Sequence, residues 1–176
     1  MLLVVNAGSS SLKLALFDDA LRQVAQARTE RIGAEGHLPA LRAGLAEMQI
    51  TPADLTAAAH RVVHGGAGLT AACRITPTVE AQIYACCTLA PLHNPANLTG
   101  IRAIRALAPD LPQYASFDTA FHASNPAVAT TYALPLAERE QGLRRYGFHG
   151  LSYAAIVRKV KKMRAGALPK RLLVFH

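Results

Sequence analysis

The sequence predicts a mixed α/β domain, and three observations carry that prediction. Short apolar runs such as Leu2-Leu3-Val4-Val5 and Leu14-Ala15-Leu16-Phe17 are bounded by turn residues, as buried strands are. Other stretches place apolar residues three and four apart, the repeat of a helix with one buried face. The two kinds alternate along the chain, which is the order of a sheet with flanking helices. With 176 residues, 51% of them apolar and 6% aromatic, the chain can bury one good core or two small ones.

The elements follow in order. Leu2–Asn6 and Ser11–Phe17 read as a hairpin, and Gln23–Thr29 adds a third strand. His37–Met48 reads as a helix through Leu38, Leu41, Leu45 and Met48. Thr51-Pro52-Ala53-Asp54 has the cap, first-turn proline and acidic third position of a helix start. Ala57–Val63 is another buried strand. A helix is expected from Thr78 to about Leu89, capped by Thr76 with Pro77 at its first position. Asn94-Pro95 repeats that capping logic for a helix carrying Leu98, Ile101, Ile104 and Leu107. Gln113–Phe117 is a short strand with Asp118 at its end, and 123–136 looks irregular. Ser152 caps a last helix reaching about Met163, and Leu172–Phe175 reads as a final strand.

Charge is unevenly placed. The net charge is +8, yet residues 1–143 hold ten Lys or Arg against eleven Asp or Glu. Residues 144–176 hold nine basic residues and no acid. A basic segment can be a nucleic-acid patch or a solvated helix face balanced by acids elsewhere. It lacks the aromatic interleaving that stacks bases, which favours the second reading. Cys73, Cys86 and Cys87 show no C-x-x-C spacing and are expected as small buried hydrophobes, not as metal ligands. No stretch approaches the roughly 20 apolar residues of a spanning helix, and the first apolar run is too short for a signal peptide, so the cytoplasm is the expected compartment.

Five polar clusters sit at strand ends or turns. Asn6-Ala7-Gly8-Ser9-Ser10-Ser11-Leu12-Lys13 gathers an amide, three hydroxyls and an ammonium at a hairpin tip. Small residues there let backbone N–H groups approach an oxyanion, and Lys13 adds charge. The spacing is not that of a P-loop, and a ligand-free hairpin is the other reading. The second cluster is His60-Arg61-Val62-Val63-His64-Gly65-Gly66, and the third Leu92-His93-Asn94-Pro95. Phe117-Asp118-Thr119-Ala120-Phe121-His122 and Arg144-Arg145-Tyr146-Gly147-Phe148-His149-Gly150 complete the set. Ligands of α/β folds collect outside strand ends, so these tips are expected to converge. Arg61 needs a salt bridge or an anion if buried. His60 is expected to be structural, satisfied by a backbone carbonyl, whereas His64 and His122 are open between structure and function. Asp118 can cap the next turn or act on a ligand. His149 sits beside Gly150, which permits close ligand approach. Arg144 and Arg145 read as surface charges or as anion contacts.

The order and wording of these clusters resemble the N-terminal part of the acetate and propionate kinases, members of the sugar kinase/Hsp70/actin superfamily with its ribonuclease H-like mixed sheet. The matching segments are Asn-Ala-Gly-Ser-Ser-Ser-Leu-Lys, His-Arg-Val-Val-His-Gly-Gly, Leu-Ala-Pro-Leu-His-Asn-Pro-Ala-Asn, Phe-Asp-Thr-Ala-Phe-His and Arg-Arg-Tyr-Gly-Phe-His-Gly. The resemblance implies reversible transfer of the γ-phosphoryl group of ATP to acetate or propionate with Mg²⁺. It implies Asp118, His149 and Arg61 as catalytic residues and Asn6 with Asp118 at the metal. Arg61, Val63, Leu92, His93 and Phe148 would hold the carboxylate substrate. Ser9, Ser11, Lys13 and His176 would meet phosphate or ATP.

The likeness also has departures. Where the family continues Phe-His-Gly with Thr-Ser-His, this chain has Leu151-Ser152-Tyr153. By the resemblance, 1–176 is the acyl-substrate domain, and His176 opens the phosphate-binding turn of a nucleotide half lying beyond it. The expectations are little or no turnover by these residues alone, and either self-association or pairing with a second half. A small-anion binding module without turnover is the alternative, and a nucleic-acid binder the third reading.

Overall fold

A computed structural model describes residues 1–32 and 36–176. Six strands form one sheet: β1 (Leu2–Ala7), β2 (Ser11–Phe17), β3 (Gln23–Glu30), β4 (Ala57–Val62), β5 (Cys73–Arg74) and β6 (Gln113–Phe117). Their order is β3-β2-β1-β4-β6-β5. The β1–β2 and β2–β3 pairs are antiparallel hairpins, whereas β4 lies parallel to both β1 and β6. The short β5 pairs antiparallel with β6.

Alternation along the strands sends one set of side chains to a covered face. Leu3, Val5, Leu12, Leu14 and Leu16 pack there with Leu41 and Leu45 of α1 (His37–Glu47) and Ile104 of α3 (Asn94–Leu107). A second cluster continues that core with Val62, Ile83, Leu98, Ile101 and Phe117, and takes in α2 (Pro77–Ala85). The opposite face carries Asn6, Lys13, Arg28 and Arg61, each at least partly exposed. Register places these four in a row across the sheet: Arg28 opposite Lys13, Lys13 opposite Asn6, and Asn6 one step past the Val5–His60 pair, beside Arg61.

Several boundaries differ from the sequence reading, each for a local reason. Thr51–Asp54 closes its capping box but makes only a single 3-10 turn, Pro52–Asp54. Thr76 caps α2 as expected, accepting from the Val79 N–H at 3.2 Å, but the helix ends at Ala85 and a 3-10 turn follows. Asn94 is not a cap; its side chain is buried and bonded elsewhere. Within 123–136, the irregular expectation meets α4 (Ala127–Thr130) and the start of α5 (Leu136–Glu140). The last helix, α6 (Gly150–Met163), begins two residues before Ser152, so Ser152 lies in its first turn and caps nothing. Leu172–Phe175 is not a strand. An apolar run becomes a strand only with a neighbouring ladder, and here Leu173 and Phe175 are 79% and 85% exposed. Cys73, Cys86 and Cys87 are free thiols, of which only Cys86 is fully buried. Among the described residues no helix is long and apolar enough to cross a membrane.

Candidate functional site

Arg61 reaches the open face from β4 and meets Asp118, which ends β6 and starts the 3-10 turn Asp118–His122. The guanidinium donates Nη2–H to Asp118 Oδ2 at 2.6 Å and Nε–H to Oδ2 at 3.1 Å, with a longer contact to Oδ1 at 3.4 Å. Its Nη1–H reaches Asn6 Oδ1 at 3.3 Å. The Asp118 side chain is 2% exposed and that of Arg61 36%, so the carboxylate is enclosed while the guanidinium touches solvent. The ion pair foreseen as one alternative for Arg61 is therefore the one the fold makes.

A cavity of about 370 Å³ opens beside this pair. Arg61, Asp118, His93 and His149 give it a polar side, and Val63, Leu92 and Phe148 an apolar one. All seven were singled out from sequence, and they come from four separate clusters. The others are outside its lining, although Asn6 touches Arg61. Asn6 and Lys13 open onto a different cavity, of about 460 Å³, with Arg28 and Glu47 on its wall. Ser9 and Ser11 lie at the β1–β2 tip, closed by a Gly8 N–H to Ser11 carbonyl bond of 2.8 Å. His176 lies beside the first cavity's His149. Its ring stacks on His149, centroids 4.0 Å apart, and its Nδ1 lies 3.1 Å from Ser152 Oγ.

The strand ends are held by residues that sequence reasoning read otherwise. Asn94 Oδ1 accepts the His64 N–H at 3.0 Å, and its Nδ2 donates to the carbonyls of His64 and Ile83. Asn97, one turn along α3, accepts the Val63 N–H at 3.0 Å and donates to the Ala7 carbonyl at 2.7 Å. It thereby spans the point where β1 and β4 stop pairing. His37 ties the Ser-rich tip to α1 through its Nε2 and the Gly8 carbonyl, 2.8 Å apart. From sequence Asn94-Pro95 reads as helix capping, and Asn97 carries no signal beyond its place in the matching segment.

The histidines divide clearly. His60 bonds the Gln113 side-chain oxygen at 2.8 Å, not a backbone carbonyl, and burial pushes its imidazole down to about 4. His64 is structural: its Nδ1 accepts the Gly66 N–H, its ring meets Tyr146 edge-on, and burial lowers its pKa. His122 donates Nε2–H to the Phe148 carbonyl at 2.9 Å. His149 holds a left-handed backbone, φ 57°. Gly150 beside it is required by packing: an added Cβ would lie 2.0 Å from the Asp118 carbonyl oxygen.

Among the described residues no three His, Cys, Asp or Glu side chains gather at metal-binding distance. Asp118 and Asn6 offer one carboxylate and one amide oxygen, both engaged by Arg61. Mg²⁺ takes one or two carboxylates and fills its octahedron with water and substrate phosphates. The pair therefore fits an ion that arrives with a nucleotide, not one held by protein alone.

The model of the acetokinase family matches residues 26–176. The chain belongs to the acetokinase family. An acetate kinase of Rhodopseudomonas palustris is 40% identical over 206 aligned positions, which take in all of this chain and 52% of that protein. Those positions outnumber the chain's own residues, so that relative carries segments inside the matched stretch that this acetokinase-family chain lacks. An acetate kinase of Streptomyces avermitilis is 42% identical across 99% of this chain and 50% of its own length. The crystal structure of Porphyromonas gingivalis acetate kinase superposes with a TM-score of 0.84 at 34% identity, covering 93% of this chain and 49% of that one. A propionate kinase from Francisella tularensis gives 0.81 at 31%, with the same coverage. The chain thus spans about half the length of the curated relatives it matches, and it carries the fold of that half.

Proposed function

We propose that this chain forms the carboxylate-binding side of a phosphoryl-transfer site, with acetate or propionate as acceptor and ATP with Mg²⁺ as donor. The observation that carries the reading is convergence: Arg61, Val63, Leu92, His93, Asp118, Phe148 and His149, scattered over the sequence, line one cavity. Its two-sided chemistry suits a short carboxylate. Val63, Leu92 and Phe148 would receive the methyl or ethyl group, and Arg61 would turn its forked donors from Asp118 to the carboxylate. One methylene in such a pocket is worth roughly 1–3 kcal/mol, so the two acids would be separated only weakly.

In the proposed reaction a carboxylate oxygen attacks the γ-phosphorus, the bond to the ADP oxygen breaks, and an acyl phosphate leaves. His93 and His149 would donate to the phosphoryl oxygens as charge redistributes. Asn6 and Asp118 would hold the ion, which when bound neutralises phosphate charge. Ser9, Ser11 and Lys13 would extend the anionic track along the open sheet face. The nucleotide-holding residues implied by the family resemblance are not among these 176, so binding without appreciable turnover is expected of them alone.

Titration of the chain with ¹³C-acetate tests the reading, alongside acetyl phosphate formation from acetate, ATP and Mg²⁺. Saturable acetate binding that disappears in Arg61→Ala, with little turnover, is the expected result. Binding indifferent to Arg61→Ala would overturn the site. Rapid turnover by the 176 residues would overturn the half-site.

A further inference from the structure

A second cavity, of about 210 Å³, lies across the Asp118–His122 turn from the first: Asp118 lines one and Thr119 the other. Arg144 and Arg145 bring nitrogen donors to it, Thr70, Thr119 and Thr130 bring hydroxyls, and the His122 ring forms part of its wall. No Asp or Glu is among its lining residues. The Arg144 guanidinium sits over the Tyr146 ring at 5.2 Å and that of Arg145 over Tyr132 at 5.6 Å. Such contacts hold a cation in place without neutralising it. Neither arginine has a carboxylate partner among the described residues, where the ion pairs involve other arginines. Arg144 Nε is moreover enclosed without any hydrogen-bond partner, alone in this among the described side-chain nitrogens and oxygens. A buried donor left unmade is costly, so the fold holds Arg144 here at a cost that no protein partner offsets.

The Thr130 hydroxyl donates to the Ala127 carbonyl at 3.4 Å, whereas that of Thr119 is disposed toward a ligand. Thr119 Oγ1 accepts the Gly65 N–H at 3.0 Å, which leaves its own hydroxyl proton to donate. Gly147 lies against the His122 ring, where an added Cβ would come within 2.4 Å, so the backbone packs close at this wall. At about 30 Å³ of liquid volume per water, the space equals roughly seven waters, enough for an oxyanion and a short organic tail.

We infer that this cavity binds a small phosphate-bearing anion, at a site separate from the Arg61–Asp118 pocket. Two guanidinium forks suit a dianion better than the single charge of a short carboxylate. The Thr70 and Thr119 hydroxyls beside them suit further oxygens of a tetrahedral group.

Calorimetric titration of the whole chain with inorganic phosphate at low salt, in an Arg61→Ala background, tests this directly. That background removes the guanidinium of the first pocket, and phosphate held by His93, His149 or Lys13 is told apart by its indifference to Arg144→Gln and Arg145→Gln. A saturable phosphate site is expected that weakens about tenfold or more in Arg144→Gln and again in Arg145→Gln, since each removes a charge-assisted bond. Arg145 is exposed, so its variant carries the test should Arg144→Gln fail to fold. Glycerol 3-phosphate in place of phosphate reads whether an organic tail adds affinity, and tighter binding than phosphate is expected. Malonate is the control, and binding as tight as phosphate would overturn the phosphate assignment. Phosphate binding that is absent, or unchanged in the Arg145→Gln variant, would overturn the site itself.

Discussion

Removing Arg61 should destabilise the chain more than neutralising Asp118, although the two form one ion pair. The asymmetry follows from their surroundings. Asp118 is 2% exposed, and among the described residues Arg61 alone pairs with its carboxylate. Truncating Arg61 leaves that charge enclosed beside a new void. Breaking a buried pair in this way costs about 3–5 kcal/mol. Arg61 is 36% exposed, so water enters the vacated space, which lowers the expectation to about 2–3 kcal/mol. Asp118→Asn keeps the shape and leaves a guanidinium that already touches solvent, so about 1 kcal/mol is expected. The double variant should recover part of the Arg61→Ala loss, a coupling of about 1–2 kcal/mol. Urea unfolding of the four proteins at pH 7, followed by circular dichroism with m-values compared, measures these differences. A cost for Asp118→Asn equal to or above that of Arg61→Ala, or strict additivity, would refute the reasoning.

Two other perturbations test the frame around the site. In Gly150→Ala the new Cβ would meet the Asp118 carbonyl oxygen at 2.0 Å and Phe121 Cβ at 2.5 Å. Overpacking costs about 1–3 kcal/mol, and backbone cannot yield cheaply, so the upper end is expected with weakened acetate binding; a melt and an acetate titration check both. Lowering pH should also destabilise the fold through His60. Its folded pKa of about 4 lies below the unfolded 6.5, so between these values the unfolded chain binds more protons. Stability is then fully present above about 6.5 and falls by about 3 kcal/mol as pH drops through 4. Burial pushes His64 in the same direction. Urea midpoints independent of pH from 7 to 4.5 would contradict this.

Strong periodicity made much of the fold legible. β1, β2, β3, β4 and β6, with α1 and α3, lie within about a residue of their sequence-based bounds, and all but the largely exposed β3 bury a regular face. The two-residue β5 has no pattern of its own and exists through its pairing with β6. Leu172–Phe175 has the composition of a strand without the neighbour that makes one. The candidate site was legible as clusters at strand ends, yet not as a wiring diagram. Asn94 and Asn97 lie at a helix start, and their partners lie 11 to 90 positions away. No short-range signal distinguishes a capping amide from one that bridges two strands. Lys13 and Arg61 stand in one row by register but open onto two separate cavities.

The Asn97 bridge has a mechanical consequence. β1 and β4 are zipped by backbone bonds up to Val5 and His60, and beyond that a single side-chain amide stands between Ala7 and Val63. An amide has fixed bond lengths, so the parting of the two strands is gauged by one rigid spacer. That spacer rides on α3, which also carries Asn94 and so grips the next residue, His64. A sliding or tilting of α3 would therefore move the β1 tip and the Gly65–Gly66 turn together, as one jaw hinged on a helix.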